Sequence, residues 1–469
     1  MIDFRRQSVA DVVTLVTSRS ASAREVTQAA LDRISAVDGQ VGAFVAVDGD
    51  HALEEAAAID ERLARGDDVG PLAGIPIGVK DLEDARGFRT TYGSVLHADD
   101  PIAEHDSVLV ARLRAAGCVV VGKTNTPEHG SRAVTENALF PPSRNPWDLD
   151  RSPGGSSGGS AAAIAAGMVP MATGSDGGGS IRIPSAVCGL TGLKPSLGRV
   201  PSGGPRPPGW LDLSTKGVMA RTLRDVVAGL DVAVGPDPSD LRSLPPPDLA
   251  WARSIDDAHV PNRVGWAPTL GYATIDKEVL TTCERAVALL ADLGAEVVEI
   301  DDVFENDPIF DWMAIAGTAN ERTIGHLRGT PDWERVDAEM RLFADLATER
   351  CTAVDVIRGF DAMHMLNLRL VEVFHRVSLF VAPTVAGQTP VVGVGQGTVN
   401  GELTPAWVGL TYPFNLTRSP AGTVCAGFTA DGLPIGLQVV GPQHADVAVL
   451  RLLSVLEEAL GLDTIAPLP

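Results

Sequence analysis

Pro153-Gly-Gly-Ser-Ser-Gly-Gly-Ser160 and, after a short Ala-rich segment, Gly174-Ser-Asp-Gly-Gly-Gly-Ser-Ile-Arg182 form the densest signal in the chain. They set two serines, Ser156 and Ser180, in glycine-rich turns 24 residues apart. Glycine lets a backbone bend sharply and approach a ligand closely. Successive N–H groups in such a turn can converge on one anion, which is what acyl transfer asks of an oxyanion hole. The amides of Gly177, Gly178, Gly179 and Ser180 are the candidate donors.

Outward from this block, the pattern alternates between helix and strand. Upstream, Val9 to Val16 and Glu25 to Ile34 carry apolar residues at helical spacing, the second behind Ser20 and Ser22 as candidate caps. Asp106 stands before a helical run from Val108 to Ala116, Gly117 suits a left-handed stop, and Cys118 to Val121 is a continuous apolar strand. Downstream, Arg263 to Trp266, a helix over Asp276 to Leu293 closed by Gly294, and a strand over Ala295 to Ile300 read as one βαβ unit. Thr423 to Phe428 and Leu433 to Val440 flank Asp431-Gly432 as a hairpin, ahead of a helix from Asp446 to Leu460. The expected fold is α/β, with a mixed, at least partly parallel sheet. Pro201 to Gly209 and the five prolines between 236 and 247 read as loops within one domain spanning 1–469. Residues 308–377 are the least patterned part and read as a variable helical layer over the sheet.

Composition limits the function. Among 469 residues, 60 acidic against 38 basic side chains give a formal net charge of −22, which disfavours nucleic acid and anionic membranes as partners. No uncharged apolar stretch reaches the roughly 18 residues of a spanning helix, and the start lacks the apolar run of a secretory signal. Five widely spaced cysteines, an odd number, argue against a disulfide framework and fit a reducing cytoplasm. The nine histidines show no metal-binding spacing, so no metal is expected.

The glycine-serine block, followed by Cys188-Gly-Leu-Thr-Gly-Leu-Lys-Pro195, resembles the core of the amidase signature family in order and spacing. Gly74-Ile-Pro-Ile-Gly-Val-Lys80-Asp81, Gly122-Lys-Thr-Asn-Thr-Pro-Glu128, Asn145-Pro-Trp-Asp148 and Ala426-Gly-Phe-Thr-Ala-Asp-Gly-Leu-Pro434 extend the likeness from about residue 5 to 460, most weakly between 235 and 375. The resemblance implies the family's α/β/α sandwich, a large mixed, mostly parallel twisted sheet covered by helices on both faces, and amide hydrolysis with Ser180 as nucleophile, Ser156 as bridging serine on a cis peptide bond and Lys80 as base, without any cofactor. A lysine can take a proton only when neutral, so burial must lower Lys80 from its ordinary value near 10.4. Ser157, Asp176 and Arg182 are expected to support the site, the last two as an ion pair. The family usually carries a side chain at position 177. Glycine there keeps the amide donor, loosens the loop and enlarges the space beside the scissile bond.

Rival readings are weaker. Gly155-Ser-Ser-Gly-Gly159 fits the nucleophile elbow of α/β-hydrolases, with Ser157 attacking, but that elbow follows a buried strand, whereas Asp148 to Pro153 is polar and turn-like. A phosphate loop lacks its Gly-Lys-Ser/Thr ending. A glutamyl-tRNA amidotransferase A-type subunit is the nearest alternative; such subunits usually continue with Gln-Pro-Ala where this chain has Ile183-Pro184-Ser185. Lys194 competes with Lys80 as base but belongs to the structural end of the block. The expected substrate is a small neutral amide, with anilides, esters and carbamates within reach of the same chemistry. Phe140, Trp210, Phe310, Trp312 and Met313 are candidate pocket walls, and the sequence leaves room for a homodimer.

Overall fold

The βαβ unit read between 263 and 300 is present in the computed structural model, which describes residues 2–468, and it forms one edge of an eleven-stranded sheet. The strands are β1 (Phe44–Val47), β2 (Pro76–Lys80), β3 (Val119–Thr124), β4 (Met171–Asp176), β5 (Thr191–Lys194), β6 (Thr215–Ala220), β7 (Arg263–Trp266), β8 (Glu296–Glu299) and β9 (Leu379–Pro383). A separate ribbon pairs β10 (Gly397–Val399) with β11 (Glu402–Thr404), and β12 (Ala421–Phe428) and β13 (Pro434–Val440) complete the sheet. The spatial order is β1-β3-β2-β4-β6-β5-β12-β13-β9-β7-β8.

The sheet is mixed, as expected, but not mostly parallel. Four neighbouring pairs are parallel: β3 with β2, β2 with β4, β9 with β7, and β7 with β8. The other six are antiparallel and include the whole central run from β4 to β9. A parallel pair needs a crossover, which leaves a local αβ trace in sequence; strands such as β5 and β12, more than 220 positions apart, leave none.

Local chemistry explains the helices. Helix Ala23–Val41 starts at Ser22, whose hydroxyl and the Glu25 carboxylate form a capping box, so Ser22 and not Ser20 is the cap. Helix Val108–Ala115 is capped by Ser107. Asp106, expected there, instead accepts from the Arg86 amide and pairs with Arg114. Gly117 and Gly294 take the left-handed stops, at φ +100° and +97°. Helix Lys277–Asp292, capped by Asp276, buries Val279, Cys283, Ala286 and Leu290 at helical spacing against the sheet.

Helices Ile309–Ile324, Ala338–Arg350 and Ala353–Arg376 occupy the stretch read as a helical layer. Their inner faces hold small apolar clusters, one joining Ile315, Ala316 and Met363 with Leu213 and Leu416. For the site, the decisive feature is the parallel pairing of β2 with β4, which brings the C-terminal ends of both strands to one edge of the sheet. Loops leaving the carboxyl ends of adjacent parallel strands are the usual place for a ligand site in α/β proteins.

Candidate active site

Lys80 is the last residue of β2 and is wholly buried. Its backbone amide donates to Thr173 Oγ1 on β4 at 2.8 Å, which fixes the strand end. Its Nζ lies 2.8 Å from Ser156 Oγ, 2.9 Å from Ser157 Oγ and 3.0 Å from Ser175 Oγ. Burial pushes the amine down to about 7, against the opposing pull of Asp176 and Glu83. Ser175 is a hydroxyl that motif reading passed over; its only sequence signal is its place beside Asp176 at the end of an apolar strand.

Lys194 is equally buried and equally pushed to about 7, by burial and by the Arg182 charge, with Asp176 and Asp446 pulling back. Its Nζ donates to the neighbouring Pro195 carbonyl at 3.1 Å and reaches none of the serines. Geometry, and not the ease of deprotonation, separates the two lysines.

The Gly155–Ser156 peptide is cis. Ser157 opens helix Gly158–Ala165 without capping it, so its hydroxyl is left for Lys80 and for the Ser175 carbonyl, 3.3 Å away. Residues 148–157 enter through turns and isolated bridges, so the strand that a nucleophile elbow at Ser157 requires is absent. Among the described residues no histidine hydrogen-bonds any of the three serines, and no cluster of His, Cys, Asp or Glu is arranged to hold a metal.

Ser180 is 9% exposed and sits in a turn built around Asp176. That carboxylate accepts from the amides of Gly179 (2.8 Å) and Ile181 (3.2 Å), from Arg182 Nε (3.0 Å) and Nη2 (2.9 Å), and from Asn415 Nδ2 (2.9 Å). Arg182 spends its remaining donors on Thr411 O, Gln438 Oε1 and Asn415 Oδ1. Burial alone would raise the Asp176 carboxyl; the charge and hydrogen bonds of Arg182, with Lys194 and Asn415, instead hold it well below the ordinary carboxylate range. Both ions are fully buried, and the fork geometry satisfies each. Asn415 and Thr411 lie more than 220 positions down the chain, and no motif points to them.

One expected donor is corrected. The Gly179 amide is turned inward to Asp176 and so is not free for a substrate oxygen. The amides of Gly177, Gly178 and Ser180 have no protein acceptor among the described residues. Gly179 takes φ +129°, and a Cβ there would meet Thr411 Oγ1 at 2.3 Å, so glycine is required twice over.

The expected extra space beside Gly177 is filled. A Cβ on Gly177 would lie 2.6 Å from Trp210 Cε3, and one on Gly178 would lie 2.9 Å from Trp312 Cζ2. The two indoles pack edge to face at 5.4 Å between centroids. Trp210 Nε1 donates to Asn320 Oδ1 (3.1 Å) and Trp312 Nε1 to the Gly177 carbonyl (2.9 Å). The other candidate walls are not brought to the turn in this way. Phe310 is 76% exposed to solvent. Phe140 is half-buried, its amide bound to Asn137 Oδ1, and Met313 is half-buried beside Trp312.

Comparison with known proteins gives this arrangement a family. The model of the Amidase family matches residues 25–450. The chain belongs to the amidase signature family. It is 36% identical over 456 residues to an acylamidase of Rhodococcus erythropolis, covering 95% of this chain and 93% of that one. It is also 37% identical over 498 residues to the A-type subunit of the glutamyl-tRNA(Gln) amidotransferase of Salinispora arenicola, covering 98% and 99%. Among solved structures it is similar to a bacterial aryl acylamidase of the amidase signature family, with a TM-score of 0.92 and 29% identity over 99% of each chain. This amidase is thus an amide-hydrolysing enzyme with the α/β fold of its relatives. Among the described residues, no helix is long and apolar enough to cross a membrane.

Proposed function

We propose that the enzyme hydrolyses small neutral amides through an acyl-enzyme on Ser180, with Ser156 as relay and Lys80 as base. The observation that carries this reading is the 2.8 Å contact between Ser156 Oγ and a buried Lys80 amine whose proton affinity is lowered to about 7. At neutral pH a large fraction of that amine is neutral and can act as a base.

Lys80 takes the Ser156 proton as Ser156 takes that of Ser180, whose Oγ bonds to the carbonyl carbon. The resulting oxyanion accepts from the unpartnered amides of Gly177, Gly178 and Ser180. As the tetrahedral centre collapses, the C–N bond breaks and the amine leaves with a proton from Ser156, which Lys80 replaces. Water then attacks the ester carbonyl, giving a proton to the same relay, and the acid departs as Ser180 recovers its own. Asp176 and Arg182 hold the nucleophile's turn, and Ser157 and Ser175 orient the lysine.

Substrate choice rests with the pocket. Trp210 and Trp312 against the glycine turn favour an apolar acyl or aryl group, and the 308–377 layer, as part of one domain, supplies one of those walls. Ile183, in place of the glutamine usual in tRNA amidotransferase subunits, and the −22 charge favour a stand-alone amidase. The test is to label the purified enzyme with a fluorophosphonate, map the modified residue, and assay anilides, primary amides and carbamates beside glutamine-dependent amidation of charged tRNA. Modification of Ser180 and turnover of the small amides are expected. Labelling at Ser157, or tRNA amidation alone, would overturn the reading.

A further inference from the structure

Three successive glycines give the turn before Ser180 little stiffness of its own, since each lacks the Cβ that restricts φ and ψ. The structure restrains its peptide planes from outside. The Gly178–Gly179 peptide is held at both ends: Thr411 Oγ1 donates to the Gly178 carbonyl at 2.6 Å, and the Gly179 amide donates to Asp176 at 2.8 Å. The Gly177–Gly178 peptide has one anchor, the 2.9 Å bond from Trp312 Nε1 to the Gly177 carbonyl.

A peptide is planar, and the only cis bond among the described residues is Gly155–Ser156, so the Gly177 carbonyl and the Gly178 N–H point in opposite directions. An indole N–H that fixes the carbonyl therefore aims the Gly178 amide away from Trp312, toward the face of the turn where no protein acceptor meets it. The indole is itself held, edge-on to Trp210 and 5.9 Å from the Tyr412 ring. Tyr412 in turn hydrogen-bonds Asp307, just before the helix that carries Trp312.

We infer that Trp312 is a positioning residue for the reaction: by holding the Gly177 carbonyl it keeps the Gly178 amide directed at the developing oxyanion. This rests on the proposed acyl-enzyme chemistry at Ser180. The inference makes a residue of the variable helical layer part of the transition-state machinery, and not solely a wall for substrate. A wall residue acts through binding and appears in KM, whereas a residue that sets a donor acting in the transition state appears in kcat.

The test replaces Trp312 with its benzothiophene isostere, which keeps the bicyclic shape and lacks the N–H, alongside Trp312→Phe. Loss of a whole oxyanion donor costs about 10²- to 10³-fold in kcat, so loosening one is expected to cost roughly 10-fold. KM for an anilide should stay within about twofold. Affinity for a trifluoromethyl ketone, whose serine adduct carries the oxyanion, should fall in parallel with kcat, and the melting temperature of the isostere variant should match wild type. Unchanged kcat and ketone affinity in the isostere variant, or a rise in KM alone, would overturn the inference. Ser180→Ala assayed in parallel separates the two claims: if it still turns over, the acyl-enzyme reading fails; if it is inactive, the Trp312 result speaks for Trp312 alone.

Discussion

Between Ser152 and Ser196 almost every side chain is buried, and the ions among them, Asp176, Arg182 and Lys194, are enclosed completely. The helices between Ile309 and Arg376 instead leave Phe310, Ile357 and Met365 76%, 60% and 58% exposed, and meet the site along their inner faces. In the first region the buried ions and most polar side chains have dictated partners, so the chemistry of the site constrains residue identity nearly position by position. In the second only the inward positions are so constrained, Trp312 and Asn320 among them, and the rest are free to vary.

The sharpest way to break that contrast is at the proposed nucleophile. Ser180→Ala should lower turnover by about 10⁴-fold or more while the fold persists, read from steady-state kinetics and circular dichroism. Comparable residual activity would mean that the buried block is scaffolding. Next in size, Asp176→Ala leaves Arg182 buried without its counter-charge and should destabilise the protein by about 3–5 kcal/mol in urea unfolding. A loss below about 1 kcal/mol would show that the site is less tightly enclosed than its contacts imply.

The two lysines sharpen the comparison within the block. The proposed base, Lys80, works when neutral, and a lysine lowered to about 7 gains protons as the pH falls past that point. The value of kcat/KM should therefore be constant above about pH 7 and drop by about tenfold per unit below it. Lys80→Met should abolish turnover, whereas Lys194→Met, if folded, should keep the acid limb. Loss of that limb in the Lys194 variant would transfer the role. The smallest effect is expected on the layer's outer face: Phe310→Ser should change stability by no more than about 0.5 kcal/mol and leave kcat/KM unchanged.

Much of this was legible before the fold was known. Strand Arg263–Trp266 and helix Asp446–Leu460 occur where periodicity puts them, and the hairpin of β12 and β13 forms across Asp431-Gly432. These elements carry their signals locally, in spacing, caps and turn residues. The antiparallel centre of the sheet was not legible, because β4 pairs with β6 and β5 with β12 through hydrogen bonds that leave no trace in nearby residues. Nor did the glycines reveal which of their amides would stay free, since the Asp176 carboxylate selects Gly179 only once the turn has closed.

The sequence by itself determined the chemical groups: two serines in glycine turns, a lysine after the apolar run Ile75 to Val79, and an aspartate and an arginine six residues apart. Those are local facts, set by what glycine permits and what an apolar run must bury. Tertiary structure alone decided that Lys80 meets three hydroxyls up to 95 positions away and that Asn415 closes the ion pair around Asp176. It likewise decided that Trp210 fills the place a side chain at 177 would occupy, with Trp312 set against Gly178. The physical reason is that proton affinity and donor direction depend on burial and on partners, and sheet order supplies both from segments distant in the chain.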